Sequence, residues 1–282
     1  MPMRLMPGSS MEYPMNRPRV KLLLMLSAAL FFFNCEKLEP EADNPLDPDN
    51  PDYDPPEVLI SEGPAEGEIV DTSAVTFQWT GNELVTSYRY RFDSEVWSDW
   101  FSSTSVSLDY LDEGDHSFAV QSQYETGDTS VVLNVSFVVD AVTGPALMFY
   151  PRRHIASIGE TVTFQIMAEE VENLTAAEFS ISFDPADLVV ASISQGTMFT
   201  GNGESIFFSE YDNLQGTITI SAGLLGGENP SVSGTGDLVT VEVSVLQVGE
   251  TEVTFDGSEV FRDPENNDIS ILVSVNGLIS SP

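Results

Sequence analysis

Cysteine and histidine are almost missing from this chain of 282 residues. It contains one cysteine, Cys35, and two histidines, His116 and His154. A zinc site or a histidine-based catalytic triad needs several such side chains brought together, and no GxSxG or HExxH motif supports one. The many acidic pairs carry no information, because a chain so rich in carboxylates produces pairs by chance. The sequence therefore predicts that the protein is not an enzyme.

Basic residues are also scarce, at 10 Lys and Arg against 45 Asp and Glu. Four of the basic residues and one acidic residue precede Cys35, which leaves 6 basic against 44 acidic residues after it. A surface this negative repels phosphate backbones and anionic membranes, and it attracts divalent cations and cationic partners. Nucleic-acid binding is excluded on this ground.

A long hydrophobic run is the third absence. The longest apolar stretch, residues 22–33, would extend roughly 18 Å as a helix, which is too short for a hydrocarbon core of about 30 Å. Arg17, Arg19 and Lys21 precede it, in the order of a secretory signal, and Cys35 follows it directly. Residues 1–35 thus resemble a bacterial lipoprotein signal, which implies that Cys35 is lipidated and anchors the protein to the cell envelope. The alternative is an ordinary export signal with an unpaired thiol.

Residues 36–56 read EKLEPEADNPLDPDNPDYDPP and are dominated by proline and acidic residues. Proline restricts its neighbours, the like charges repel, and no apolar face is left to bury. This composition predicts an extended, semi-rigid acidic linker between the anchor and the folded part.

The next region, residues 57–141, alternates apolar and polar residues in short segments typical of a β-sandwich. The segments are VTFQW (75–79), SYRYRF (87–92), TSVSL (104–108), HSFAV (116–120) and LNVSFVV (133–139). Trp79 is expected in the core. The stretch LDEGDHSFAV is similar to the corner between strands E and F of fibronectin type III and other immunoglobulin-like modules. That resemblance implies an immunoglobulin-like sandwich, with His116 where the family usually has a tyrosine that bonds back to the corner.

WSDWF, residues 97–101, is the best carbohydrate-binding candidate of this region. Trp97 and Trp100 offer flat apolar rings for sugar C–H faces, and Asp99 offers a hydrogen-bond acceptor. The competing interpretation is that Trp97 and Phe101 share one strand face and pack in the core.

The third region, residues 145–282, carries the strongest strand pattern. Alternating segments include GETVTFQIMAEEVENL, AAEFSISFDP, GTITISAG and SGTGDLVTVEVSVLQVGETEVTF, with turns marked by Gly, Asn and Asp-Pro. We expect EEVENL to end the first of these strands. ISILVSVNGLI is nearly all apolar and is expected to be one strand buried on both sides.

EFSISFDP, GTITISA after a loop, and the GxGDL entry to a long strand occur in the order found in cohesin domains. The resemblance covers the whole third region. It implies a jelly roll of about nine strands that binds the calcium-loaded helices of a dockerin on one sheet face, without catalysis, in systems that degrade polysaccharides.

The face implied by this resemblance is formed by the outward residues of two strands. They are Ala176, Glu178, Ser180 and Ser182 on the first strand, and Thr217, Thr219 and Ser221 on the second. Leu224 and Leu225 are added as partner anchors, because two adjacent leucines on a Gly-flanked loop cannot both easily reach a core. The alternative is that all these positions are solvent-side residues without a function.

FRDPENNDIS, residues 261–270, groups Asp263, Glu265, Asn267 and Asp268 at a turn. Their oxygens are ligands that Ca²⁺ prefers, so a structural calcium site is one interpretation, and a polar hairpin connection is the other.

Together these patterns predict an all-β protein in which an immunoglobulin-like sandwich is followed by a cohesin-like jelly roll. The predicted function is a non-catalytic surface adaptor, anchored at the outer membrane or cell surface, that binds a dockerin-type partner. A carbohydrate-binding surface lipoprotein is the alternative.

Overall fold

The computed structural model describes residues 44–282 except residue 202 and residues 227–229. The regular structure of these ranges is made of strands, and the all-β prediction is confirmed. In the same ranges there is no helix long and apolar enough to span a membrane. The predicted signal and Cys35 lie outside the described residues.

Residues 44–54 belong to a separate compact unit and form a series of turns with a three-residue repeat. The side-chain oxygens of Asn44, Asp47 and Asn50 each accept the main-chain N–H two residues later, at 3.0 Å. Their carbonyls accept the N–H three residues later, at 2.9–3.1 Å. Each of the three is followed by proline, which presets φ for the turn. The extended path predicted for this part of the linker is therefore wrong, because Asx-Pro turns fold it back locally.

The first β-sandwich packs a three-stranded sheet, in the order β1-β3-β5, against a four-stranded sheet, in the order β2-β7-β6-β4. Phe77 and Phe118 stack across the two sheets with centroids 3.9 Å apart, and Trp79 is buried beside them as predicted. The strands are β1 (Val58–Glu62), β2 (Glu68–Val70), β3 (Val75–Gly81), β4 (Val85–Phe92), β5 (Ser105–Leu108), β6 (Gly114–Tyr124) and β7 (Leu133–Val139). The two short strands β1 and β2 were not predicted.

His116 closes the corner that leads into β6. Its Nε2 lies 2.9 Å from the carbonyl oxygen of Asp112, and its Nδ1 lies 2.8 Å from a carboxylate oxygen of Asp93. Each ring nitrogen thus faces an oxygen atom of the corner or of the loop after β4. The side chain is nearly buried and is used for structure, as expected for a corner residue.

The second β-sandwich is formed by residues 146–281. One sheet has the order β12-β15-β10-β8-β19, and the other has the order β13-β14-β11-β16-β20-β9, with β17 paired to β11 and β18 paired to β17. The strands are β8 (Ala146–Tyr150), β9 (Arg153–Ile155), β10 (Thr161–Leu174), β11 (Ala176–Ser182), β12 (Leu188–Gln195), β13 (Glu204–Asp212), β14 (Thr217–Leu225), β15 (Val232–Val245), β16 (Gly249–Phe255), β17 (Val260–Arg262), β18 (Asp268–Ile269), β19 (Val273–Val275) and β20 (Gly277–Ser281).

Strand β10 continues through the segment that was expected to end it. The register against β15 shifts at two places after Ala168, and Glu170 and Asn173 have positive φ. These bulges turn Val171 and Leu174 back into the core, where both are fully buried. Bulges restore the inward positions, so the loss of strict alternation in EEVENL does not end the strand.

The apolar run near the C-terminus is three short strands rather than one. β19 pairs with β8 in the first sheet, whereas β20 pairs with β16 and β9 in the second. The chain thus crosses between the two sheets within a few residues. The run is apolar because both sheets bury part of it, while Leu272, just before β19, is 64% exposed.

Candidate functional site

The candidate site is the solvent side of strands β13, β14, β11 and β17, which we call the outer face. In antiparallel pairs, residues that stand opposite one another project from the same side of the sheet. The pairing therefore defines cross-strand rows, which are Ile206, Gly223, Ala176 and Arg262; Phe208, Ser221, Glu178 and Val260; Glu210, Thr219 and Ser180; and Asp212, Thr217 and Ser182.

The structure brings together the seven strand residues that the sequence placed on this face. Glu178 stands opposite Ser221, Ser180 opposite Thr219, and Ser182 opposite Thr217. Their neighbours along the strands, including Phe179 and Ile220, are buried in the core. The period-2 pattern alone therefore placed these residues on the correct side.

The two leucines differ from the prediction. Both lie at the end of β14 rather than on a loop, so their side chains point to opposite sides of the sheet. Leu224 is 5% exposed and belongs to the core, which means that its predicted role as a partner anchor is wrong. Leu225 is 48% exposed at the end of the outer face.

Sequence reasoning missed strand β13, which supplies one edge of the outer face. Ile206 and Phe208 point outward beside Gly223 and Ser221, and Phe208 is 68% exposed. The signal was present in SIFFSEYDNLQGTITISA. Counting outward from the four-residue turn at residues 213–216 pairs Asp212 with Thr217 and places Phe208 opposite Ser221.

Two small residues occupy the middle of one row of the outer face. Gly223 and Ala176 stand opposite one another there, between Ile206 on β13 and Arg262 on β17. A Cβ built on Gly223 would lie 2.9 Å from the carbonyl oxygen of Thr175, so a side chain does not fit there without a shift. The larger side chains of Ile206, Phe208 and Leu225 occupy this row and the two next to it on β13 and β14.

Most acidic side chains on the outer face have no hydrogen-bond or ion-pair partner among the described residues. Among the described residues, the carboxylates of Glu178, Glu204 and Glu210 make no hydrogen bond and no ion pair. Asp212 is used locally, because its carboxylate accepts the N–H of Leu214 at 2.8 Å in the hairpin turn. The guanidinium of Arg262 is already paired with Asp268.

Three of the four predicted calcium ligands have partners within the protein. Asp263 accepts hydrogen bonds from the main-chain N–H of Asn267 at 2.7 Å and from its side-chain amide at 2.9 Å, and these bonds lower the pKa of Asp263. Asp268 pairs with Arg262, and Glu265 lies exposed at the turn. Across the described ranges, no group of three or more acidic, His or Cys side chains is placed to hold a metal ion. The polar hairpin interpretation fits this segment.

The two candidate sugar platforms enclose an arginine. The guanidinium of Arg89 lies 4.7 Å from the ring centroid of Trp97 and 4.6 Å from that of Trp100, and Arg91 lies 5.1 Å from Trp97. One face of each indole is therefore covered, and Asp99 is exposed beside them. Phe101 instead packs on Trp79 and Tyr90, so the expected pairing of Trp97 with Phe101 is wrong.

A protein-family model described as "Cohesin domain" matches residues 154–280 of this chain. That family is a non-catalytic protein–protein interaction module. The match begins within β9 and ends within β20, so it includes every strand of the outer face. No curated protein sequence matches the chain.

Solved structures similar to this chain include several cohesins. A non-cellulosomal cohesin from the archaeon Archaeoglobus fulgidus is 17% identical, with a TM-score of 0.41 over 49% of this chain and 90% of that one. The sixth cohesin of scaffoldin B from Acetivibrio cellulolyticus, in complex with a Cel5 dockerin mutant, is 18% identical, with a TM-score of 0.43 over 50% and 100%. The cohesin of the Coh-OlpA–Doc918 complex from Clostridium thermocellum is 15% identical, with a TM-score of 0.43 over 49% and 98%.

Proposed function

We propose that this protein is a non-catalytic adaptor of the cell envelope whose second sandwich captures a dockerin-type protein partner on the outer face. The observation that carries the proposal is the cohesin-domain match over residues 154–280. The face itself supports it, since it offers a regular surface of hydroxyls, unpaired carboxylates and exposed apolar side chains. Such a mixture is typical of interfaces between proteins.

The decisive experiment measures binding of the whole chain to purified dockerin modules by surface plasmon resonance, with Ca²⁺ and with EGTA. We expect binding with Ca²⁺ and its loss with EGTA, because the cohesin resemblance implies a calcium-loaded partner. The matched variants are Glu178→Lys on the outer face and Glu172→Lys on β10, which is exposed on the other sheet.

Loss of binding in Glu178→Lys with retention in Glu172→Lys supports capture on the outer face. Equal binding of both variants would move the contact elsewhere. If no dockerin of the source organism binds the whole chain, while a polysaccharide array does, the adaptor function is overturned in favour of carbohydrate binding.

We further propose that Cys35 is lipidated and that residues 36–56 separate the sandwiches from the membrane. The support is the order of basic residues, apolar run and cysteine in residues 17–35. Cys35→Ala should move the protein from the membrane fraction to the soluble fraction. Detection of a diacylglyceryl group on the N-terminal peptide by mass spectrometry checks the modification directly, and a free thiol in membrane-derived protein would contradict it.

A further inference from the structure

We infer that the first sandwich binds an acidic polysaccharide, built from sugars that carry a carboxylate, through two arginines on the outward side of strands β4, β6 and β7. We call this surface the arginine face. It belongs to a different sandwich from the outer face, so the inference goes beyond the proposed function and does not depend on it.

The arginine face is a sheet surface almost free of acid. The residues that alternate with its members, including Tyr88, Phe118 and Phe137, are buried in the core. The members are Ser87, Arg89 and Arg91 on β4, Ser117, Ala119, Gln121 and Gln123 on β6, and Asn134 and Ser136 on β7. None of the nine is acidic, although 44 acidic residues follow Cys35, and Asp115 lies only at the border. This surface therefore differs in charge from the chain as a whole.

The two arginines of this face have no carboxylate partner. In the part of the chain that the structure describes, the ion pairs of arginine involve Arg153 and Arg262, and none involves Arg89 or Arg91. Guanidinium groups form strong, often bidentate hydrogen bonds with carboxylates. Two cations left unpaired in so acidic a protein are therefore available to an external anion.

Two indole rings and a buried amide hold the guanidinium groups in place. The guanidinium of Arg89 lies 4.6 Å from the ring centroid of Trp100 and 4.7 Å from that of Trp97, and that of Arg91 lies 5.1 Å from Trp97. Nε and Nη2 of Arg89 also donate to Oε1 of Gln121, at 3.1 and 2.7 Å, and Gln121 is buried. An ordered guanidinium loses less conformational entropy when a ligand binds, so the face is prepared for binding.

The unpaired nitrogen atoms of this cluster are all hydrogen-bond donors. Among the described residues, Nη1 of Arg89 and the terminal nitrogens of Arg91 have no hydrogen-bond partner. The indole N–H groups of Trp97 and Trp100 are also unpaired within these ranges, and an indole can only donate. The ligand that satisfies such a set is negatively charged and rich in acceptors.

An acidic polysaccharide fits these groups better than an acidic peptide does. Glu95 and Asp99 lie within ten residues of the arginines in the sequence, yet among the described residues neither pairs with them. A uronic acid carries its carboxylate on a rigid ring, so fewer rotatable bonds are fixed when the pair forms. Its hydroxyls can bond to Asn134 and Ser136, whose side chains are exposed and unpaired within the described ranges.

The acidity of the whole chain acts only weakly at this face under physiological salt. The Debye length is about 8 Å at about 0.15 M, so carboxylates on the other sandwich are screened. Asp99 is different, because it lies between the two tryptophans in the sequence and is exposed. Its charge should oppose an acidic ligand, whereas it would accept hydroxyl bonds from a neutral sugar. The sign of its effect therefore distinguishes the two kinds of ligand.

The test measures binding of the whole chain to short oligogalacturonates by isothermal titration calorimetry at about 150 mM NaCl. Cello-oligosaccharides of the same length are the neutral comparison, and poly-glutamate of matched charge is the acidic peptide. We expect oligogalacturonate to bind, and each comparison ligand to bind at least about tenfold more weakly.

Four variants assign the binding to the arginine face. Arg91→Gln should weaken binding of oligogalacturonate about tenfold or more, and Arg91→Lys should recover part of the loss, because lysine keeps the charge but not the planar fork. Asp99→Asn should strengthen binding about twofold or more, because it removes a like charge. The matched control, Arg153→Gln, makes the same change in net charge on β9 of the second sandwich and should change binding less than about twofold.

The inference is supported if oligogalacturonate binds, loses affinity in Arg91→Gln and keeps it in Arg153→Gln. It is overturned if oligogalacturonate does not bind, if either comparison ligand binds as tightly, or if the two arginine variants behave alike. Weaker binding of Asp99→Asn would also overturn it, since the site would then recognise neutral sugar hydroxyls. Circular dichroism melts of each variant identify any loss of binding that comes from unfolding. Binding of a dockerin to the second sandwich is a separate measurement, so either result can stand without the other.

Discussion

The main-chain N–H of Arg152 donates a hydrogen bond of 2.6 Å to a carboxylate oxygen of Asp112. Asp112 lies at the corner before β6 of the first sandwich, and Arg152 lies between β8 and β9 of the second. The Arg152 guanidinium also donates to the carbonyl of Leu111 at 3.2 Å. These bonds join the two sandwiches at a partly buried junction.

Burial has opposite effects on the two charged groups of this junction. Desolvation raises the pKa of Asp112, and the hydrogen bond from Arg152 and the nearby cationic charges oppose that rise. Desolvation lowers the pKa of Arg152, which nearby carboxylates oppose. Loss of one partner would leave the other poorly solvated, so the junction should be sensitive to single substitutions.

Asp112→Ala should lower the free energy of unfolding by about 1–3 kcal/mol, because the N–H of Arg152 is left without its acceptor in a partly buried site. The carbonyl of Asp112 that binds His116 is kept in this variant. Urea denaturation measures the change. The control is Asp109→Ala, which breaks a more exposed ion pair with Arg153 and should cost less than about 1 kcal/mol. Equal costs for the two variants would contradict the role given to Asp112.

Leu224→Ala and Leu225→Ala should separate stability from binding. Leu224 is buried in the core, and truncation there should cost about 2–5 kcal/mol. Leu225 is half-exposed, so its truncation should change stability by less than about 1 kcal/mol and should weaken partner binding instead. Thermal melts and binding isotherms of the two variants check this. Similar melting temperatures would show that the alternation along β14 is misassigned.

Trp100→Ala should destabilise the first sandwich by about 0.5–2 kcal/mol through loss of one of the two rings that enclose Arg89. Arg89 would keep its contact with Trp97 and its hydrogen bonds of 2.7 and 3.1 Å to Gln121. Chemical denaturation followed by tryptophan fluorescence measures the change. Asp99→Ala, on an exposed neighbour, serves as the control and should be nearly neutral.

Glu169→Gln should be compared with the wild type as a function of pH. Desolvation raises the pKa of Glu169 above its ordinary value of 4.5, and the charges of Glu113, Glu170 and Asp140 raise it further, against the bond from Thr235. The folded state thus holds this proton more tightly than the unfolded state. Its contribution to stability is complete below pH 4.5 and is lost as the pH rises through the folded pKa.

The wild type should therefore gain stability relative to Glu169→Gln as the pH falls from 7 toward 4.5. Glutamine keeps an acceptor for the hydroxyl of Thr235, so the comparison isolates the charge. Urea midpoints at a series of pH values measure it. A difference that does not change with pH would refute the assignment.

The stability contribution of His154 should depend on pH in the opposite direction. Burial lowers its pKa below the ordinary value of 6.5, although the bond to the carbonyl of Thr163 opposes the shift. The folded state binds this proton more weakly, so the wild type should lose stability relative to His154→Asn as the pH falls from 6.5 toward the lowered pKa. Urea midpoints of the wild type and of His154→Asn at the same series of pH values measure this difference. If the two curves of midpoint against pH run parallel, the lowered pKa of His154 is refuted.

Most of the outer face could be predicted because successive side chains of a strand point to opposite sides of the sheet. Once FSIS and TITIS are assigned as strands, Glu178, Ser180, Thr217 and Thr219 can lie only on the side opposite the buried residues. The prediction that both Leu224 and Leu225 are partner anchors was wrong for a related reason. They were assigned to a loop, where alternation carries no information, whereas β14 extends through both.

The remainder required pairing between distant segments. Phe208 belongs to the site only because β13 pairs with β14, and the junction exists only because the corner at Asp112 meets the segment at Arg152. Neither contact leaves a local pattern. The sequence analysis also did not predict that Arg89 covers Trp97 and Trp100. Arg89 lies on β4, and its contact with the two rings leaves no local pattern.

The amino-acid sequence alone determined the all-β class, the acidic surface, the inward and outward sides of the central strands and the order of the two sandwiches, because composition and alternation are local properties. Tertiary structure decided which strands are neighbours, which outward residues form one surface and which carboxylates stay unpaired. These depend on hydrogen bonding between strands far apart in the chain, and no local pattern records that pairing.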